Sequence, residues 1–305
     1  MPKAPLKNFH DPKTPDDIIP ILDALANANC IIIGGQAINI WSIKLEKVNQ
    51  EPWKSGRPYT STDADGFGDR PSIVKLAKAL QDENYTVEVQ LAVKPEELRV
   101  NTGIITATSK KLNISINILS QPLGLSPQEV LQTAQPIPFR DKTLKILHPL
   151  LCVEGKATCL IQLPQNDPEN PRQDEKHLVL SLANLCVYLE MLGDDTSEDA
   201  VKIANRIPGL ALHELGIEIL RRHNIDVLDG VPWKHWQASQ NPLLREFGGK
   251  LEEIRTDRKT AIERDFQARK WLKELKNKPT GRKETITKAK ATINRLPKSD
   301  KTKTR

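Results

Sequence analysis

The chain has 305 residues, 38% hydrophobic and 28% charged, with a formal net charge of +6. These proportions suit a soluble globular protein, and the length leaves room for two domains at roughly 150 residues each. No apolar run approaches the ~20 residues of a membrane span, and Met1-Pro2-Lys3-Ala4-Pro5 lacks the apolar core of a signal peptide, so no membrane association and a cytoplasmic location are expected. The charge is uneven: from Arg282 onward nine basic residues face only Glu284 and Asp300, so the rest of the chain is nearly neutral. The four cysteines (Cys30, Cys152, Cys159, Cys186) lack zinc-like spacing and read as reduced core residues.

Taken in order, Thr14-Pro15-Asp16-Asp17 is a helix start: a capping hydroxyl, a proline at the first position, then acids against the positive dipole end. Ile18, Ile19, Ile21, Leu22 and Leu25 follow. Cys30 to Ile33 is a short apolar run, expected as a strand buried on both faces. Gly34-Gly35 then turns the chain into a helix from Gln36 to about Lys47. Residues 49–59 form a polar loop long enough to be a mobile element over a site. Tyr59 to Asp65 carries two acids at spacing two, and on a strand alternate side chains share a face. A helix is expected over 71–84, then strands over 85–92, 102–108 and 112–119. From His148 on the periodicity is helical, with helices expected over 148–159, 174–192, 197–207, 213–223 and 242–276.

Asp63 and Asp65 converging beside a glycine-opened helix suit a Mg²⁺-nucleoside triphosphate. Carboxylates hold hard cations through oxygen, and the turn lets backbone N–H groups approach phosphate. Ser61 and Thr62 precede the acids, where their hydroxyls can fix the carboxylate angle. Lys54 and Arg57 read as a triphosphate clamp or a solvated loop. His148 reads as a capping or packing residue, and His177 as a support for the site, a satisfied surface histidine or a base. Trp233 and Trp236 read as core residues or as a platform for a base.

The order Gly34-Gly35-Gln36-Ala37, helix, Thr60-Ser61-Thr62-Asp63-Ala64-Asp65 resembles the nucleotidyltransferase superfamily of polymerase-β-like fold. With Pro122-Leu123-Gly124-Leu125, His148-Pro149 and Glu154-Gly155-Lys156 it is similar to the bacterial AbiEii-toxin-like nucleotidyltransferases, over about residues 15–190. The resemblance implies an α/β (α+β) mixed sheet with helices over 1–135, an all-α domain over 136–278 and a basic, disordered tail over 279–305. It implies transfer of a nucleoside monophosphate from an NTP to an RNA (tRNA included) or protein hydroxyl, with Mg²⁺ (or Mn²⁺) and a toxin-like role beside a cognate antitoxin. Asp63 and Asp65 would be catalytic and hold the metal. Gly34, Gly35, Ser61, Thr62 and Lys156 would bind the nucleotide, and Asp174 in Arg172-Gln173-Asp174 would be catalytic. As structure alone, Lys156 is a surface lysine and Asp174 a helix cap. The family's third acid falls at Asn117, whose amide carries no charge and takes no proton. Glu88 is a conceivable substitute. A second expectation is therefore a catalytically impaired nucleotide- or partner-binding module, and a third is an RNA-binding protein driven by its tail.

Overall fold

The computed structural model describes residues 11–47, 50–93, 100–165 and 172–277. The basic segment over 279–305 lies outside them. The chain forms two compact units, Met1–Gly249 and Lys250–Arg305. The sheet, the cavities and the candidate site belong to the first.

Thr14 caps the first turn reciprocally with Asp17, starting a 3₁₀ turn (Pro15–Ile18) that leads into α1 (Ile19–Asn27). Strand β1 (Ile31–Ile33) is buried at every position, as three consecutive isoleucines require of a central strand. It passes directly into α2 (Gly34–Leu45). The 50–59 segment, expected to be a mobile loop, contains a short helix, α3 (Trp53–Gly56), tied down by a buried tryptophan. After it come β2 (Ala64–Phe67), α4 (Arg70–Asp82), β3 (Thr86–Leu91), β4 (Asn101–Thr108) and β5 (Asn113–Leu119).

The next elements had no clear sequence signal: α5 (Pro127–Thr133), then a hairpin of β6 (Gln135–Phe139) and β7 (Lys142–Ile146). Residue 135, expected as the domain boundary, is the first residue of β6, so the sheet runs on to Ile146. Pro136 and Pro138 hide β6 from a strand reading, and proline is tolerated there because β6 is an edge strand. Helices α6 (Pro149–Gln162), α7 (Asp174–Asp195), α8 (Ser197–Ala204), α9 (Arg206–Leu212), α10 (Glu214–His223), α11 (Trp233–Gln237) and α12 (Pro242–Asn277) complete the described chain.

One seven-stranded mixed sheet, ordered β3-β4-β5-β2-β1-β7-β6, carries the first unit. β1 runs antiparallel to β2 and parallel to β7, and β2 runs parallel to β5. Ile114, Ile116 and Ile118 of β5 are fully buried while Asn113, Ser115 and Asn117 between them are half-buried, so the alternation that makes the core also puts Asn117 on the other face. Helix α2 packs on β1 and β2 and against α6 and α7, which pack on each other.

Asn184 of α7 is the polar knot of this helical layer. Its Oδ1 accepts from Trp53 Nε1 (3.2 Å), and its Nδ2 donates to Ile38 O (3.2 Å) and Ser42 Oγ (3.0 Å). Removing it strands buried partners, at about 1–3 kcal/mol each. Asn184→Ala is expected to lower unfolding free energy by about 2–3 kcal/mol in urea titrations. Combined with Trp53→Phe, it should cost less than the two losses summed, because both remove the same bond.

Candidate functional site

The acid pair is set by strand register. Asp65 of β2 is paired with Ile33 of β1 on one side and Asn117 of β5 on the other. Asp63 lies one residue before β2. A single nitrogen, Asn117 Nδ2, donates to Asp65 Oδ1 (2.9 Å) and to Asp63 Oδ2 (3.3 Å), so both carboxylates converge on one point. Ser61 Oγ donates to the other oxygen of Asp63, Oδ1, at 3.2 Å. Thr62 is half-buried beside them. Burial, and next the charge of Asp63, push Asp65 up to about 7, against the opposing pull of Asn117, Lys156 and Arg172.

Gly34 stands where β1 turns into α2, at φ +64°, and a Cβ there would run into the Asp65 carboxylate. A Cβ on Gly35 would strike Ser61 Oγ and come within 2.7 Å of His177 Cε1. The two glycines thus do different work: Gly34 lets the helix start approach the acid, and Gly35 lets Ser61 and His177 close behind it. The residue before Gly34, Ile33, offers no side-chain cap, so the first amides of α2 are left for another acceptor.

Behind the acids lies a buried ionic group. Asp174, 2% exposed, takes Lys156 Nζ on Oδ1 (2.7 Å) and Arg172 Nε on Oδ2 (2.6 Å). Burial alone would raise Asp174, but the two cations outweigh it and hold it at about 2. Burial likewise pulls Lys156 down, and Asp174 more than restores it. Asp174 is thereby a counter-ion to Lys156 and Arg172, and it is not a lining residue of the cavity they share with the acid pair. Lys156 is no surface lysine: 13% of its side chain is exposed.

His177, three residues on, falls on the same inward face of α7 as Asp174. It is 2% exposed, with Nε2 3.0 Å from Thr60 O, so it is a buried support under the Tyr59–Asp65 segment and not a surface histidine. The carbonyl fixes the tautomer with the proton on Nε2. Burial pulls its pKa down to about 3, which removes it as a base near neutral pH. Lys13, fully buried, bridges to Ser61 by a pair of backbone bonds (2.8 and 3.0 Å), and its carbonyl also accepts from Gln36 Nε2 (3.2 Å). Nothing in the local sequence marks it, because a lysine after Asp11-Pro12 reads as exposed.

Gly34, Asp63, Asp65, Asn117, Lys156 and Arg172 are among the residues that line a cavity of about 570 Å³. The rest is mostly aliphatic, including Ile33, Leu119, Leu123, Leu125 and Leu151, with Asn101 and Cys159 as further polar groups. Other candidates are elsewhere. Arg57 is ion-paired to Glu46 (2.7 Å), and neither it nor Lys54 lines this cavity. Glu88 is exposed on edge strand β3, with β4 and β5 between it and β2, which removes it as a third acid. His148 caps α6, accepting from Leu150 N (3.1 Å), and stacks edge-on against Tyr188. Trp236 is fully buried against Phe247, a core residue. All four cysteines are free thiols.

Two carboxylates close enough to share one amide nitrogen suit a hard divalent cation completed by phosphate oxygens and water. Among the described residues no group of three or more His, Cys, Asp or Glu could hold a metal ion. Asp63 and Asp65 are the pair whose oxygens suit a Mg²⁺ (or Mn²⁺) ion.

No family model matches the chain, and no curated protein does. Among solved structures it is similar to the polyadenylate synthase of Megavirus, with 13% identity and a TM-score of 0.36 over 64% of this chain. The match spans 38% of the Megavirus protein. It is also similar to JHP933 from Helicobacter pylori, with 12% identity and a TM-score of 0.33 over 85% of this chain and 95% of that one. Neither value carries an argument about function. No helix among the described residues is long and apolar enough to cross a membrane.

Two outcomes are expected from this geometry. Gly35→Ala should displace Ser61 and His177 together and destabilise the fold by about 1–3 kcal/mol, measurable by chemical denaturation. His177 stays neutral in the fold down to about pH 3 but titrates near 6.5 when unfolded, so its contribution is present above pH 6.5 and is lost as pH falls toward 3. His177→Gln keeps an N–H for Thr60 without that proton. The stability of the unmodified protein should therefore fall relative to the variant by about 1.4 kcal/mol per pH unit below 6. The difference isolates His177 from Asp65, which titrates with the opposite sign.

Proposed function

We propose that the cavity binds a Mg²⁺ (or Mn²⁺)-nucleoside triphosphate and that the protein is a nucleotidyltransferase. It would move a nucleoside monophosphate to a hydroxyl of RNA, tRNA included, or of a protein. The observation that supports this most directly is the convergence of Asp63 and Asp65 at the uncapped start of α2, with Lys156 and Arg172 lining the same cavity. Asp63 and Asp65 would hold the cation, which when bound neutralises triphosphate charge. The α2 amides, Lys156 and Arg172 meet phosphate oxygens, and Asp174 keeps both cations in place. Such a site works by positioning and charge stabilisation.

In the transfer, the acceptor hydroxyl oxygen bonds to the α-phosphorus, the bond from that phosphorus to the bridging oxygen breaks, and pyrophosphate leaves. Asn117 cannot accept the hydroxyl proton, which would leave to solvent as the new bond forms. The AbiEii-like resemblance extends the reading to a toxin-type component with a cognate antitoxin. A second reading, a nucleotide-binding module without turnover, is favoured by one observation: Asn117 occupies the place beside Asp65 where a third carboxylate would stand.

Incubation with each labelled NTP, Mg²⁺ or Mn²⁺ and total RNA separates the two. The transferase reading expects label on RNA or on protein, reduced at least ~100-fold in Asp63→Ala. Metal-dependent NTP binding without transfer, with turnover created by Asn117→Asp, would establish the module instead. Absence of NTP binding would overturn both.

A further inference from the structure

A second cavity, of about 470 Å³, is lined by Pro52, Ser55 and Gly56 from α3 and its approach, and by Arg172, Gln173, Glu175, Lys176, Val179 and Leu180 around the start of α7. Arg172 lines this cavity and the acid-pair cavity alike. We infer that this second cavity seats the acceptor strand: it holds the hydroxyl-bearing end of a single-stranded RNA, which reaches the triphosphate past Arg172. The inference rests on the transferase reading above and names its acceptor class.

The first turn of α7 serves the two cavities by helical periodicity. Asp174 and His177 point inward to the ionic group and the Thr60 carbonyl, while Glu175, Lys176 and Val179 face the second cavity. Lys176 Nζ donates to Pro58 O (3.0 Å), which draws an ammonium group across from α7 to the α3 side. Glu175 is engaged by His223 Nδ1 at 3.0 Å. Arg172 and Lys176 are therefore the cations available to a phosphodiester, and the Nε of Arg172 is the atom committed to Asp174, with the planar fork continuing beyond it.

The remaining walls suit a nucleotide unit. Pro52, Val179 and Leu180 give an apolar surface for a base, beside Ser55 and Gln173 as polar groups. The walls are held together, because α3 packs on α7 with Leu180 against Gly56 and Trp53 bonded to Asn184. The volume lies within the ~300–1,000 Å³ of pockets that hold small ligands. Cationic groups beside an apolar surface match sugar-phosphate and base, and the nine basic residues from Arg282 onward favour the same polyanionic partner.

The test uses the full chain and a short single-stranded oligoribonucleotide with a free 3′ hydroxyl and a fluorescent 5′ label. Two variants alter opposite walls: Lys176→Glu reverses a charge, and Ser55→Trp fills the cavity without touching one. Each should weaken RNA binding about tenfold or more and raise the acceptor KM, while NTP affinity stays within about twofold. RNA affinity unchanged in both variants overturns the proposal and places RNA on another surface, such as the basic C-terminal sequence. Loss of protein self-labelling with RNA binding intact overturns it in favour of a protein acceptor. Failure of the unmodified protein to bind NTP would overturn the transferase reading and with it the acceptor role, while RNA binding lost in both variants would still place an RNA strand in this cavity.

Discussion

Two carboxylates drawn into one half-buried place repel each other, and the structure around β2 is organised to answer that repulsion. At an effective dielectric of ~20, unit charges ~4 Å apart interact by about 4 kcal/mol, a large share of the stability of a domain. Asn117 meets Asp63 and Asp65 with a shared donor, Ser61 meets Asp63 with a hydroxyl, and Lys156 and Arg172 supply positive charge. Asp174 then fixes the two cations, so that five charged groups and one amide form a single electrostatic unit.

That unit explains why elements far apart in sequence pack as they do. Helix α2 begins against Asp65 because Gly34 has no side chain, and it buries its length against α6 and α7. Those two helices bring Lys156 and Asp174 to the acids from the far side. His177 holds the Tyr59–Asp65 segment from below through one carbonyl, and Lys13 holds it through a two-bond bridge. The site is therefore built on paired strands and packed helices, where small displacements are resisted, and not on a free loop.

The amide at position 117 gives the site its particular character. Beside Asp65 it donates two hydrogen bonds and accepts no proton, so it holds the acids together without adding charge of its own. A carboxylate in its place would add a third charge to a group that already raises Asp65 to about 7. An amide at position 117 thus avoids a repulsion that a carboxylate there would add to the fold.

Much of this could be read from the chain. Three isoleucines ending in Gly34-Gly35 dictate a buried strand and an abrupt helix start, and the alternation of Ile114, Ile116 and Ile118 puts Asn117 on the face opposite the core. The spacing of Asp63 and Asp65 puts them on one side of the segment, because strand geometry has a period of two. Local pattern determined these features because each is enforced within a few residues. What only tertiary structure decided was partnership: that Lys156 and Arg172 share Asp174, that His177 reaches Thr60, that Trp53 pins the 50–59 segment to Asn184, and that β6 and β7 extend the sheet. Each joins residues with no sequence periodicity in common, and whether a lysine or a histidine is buried depends on the atoms that surround it, which a local pattern does not contain.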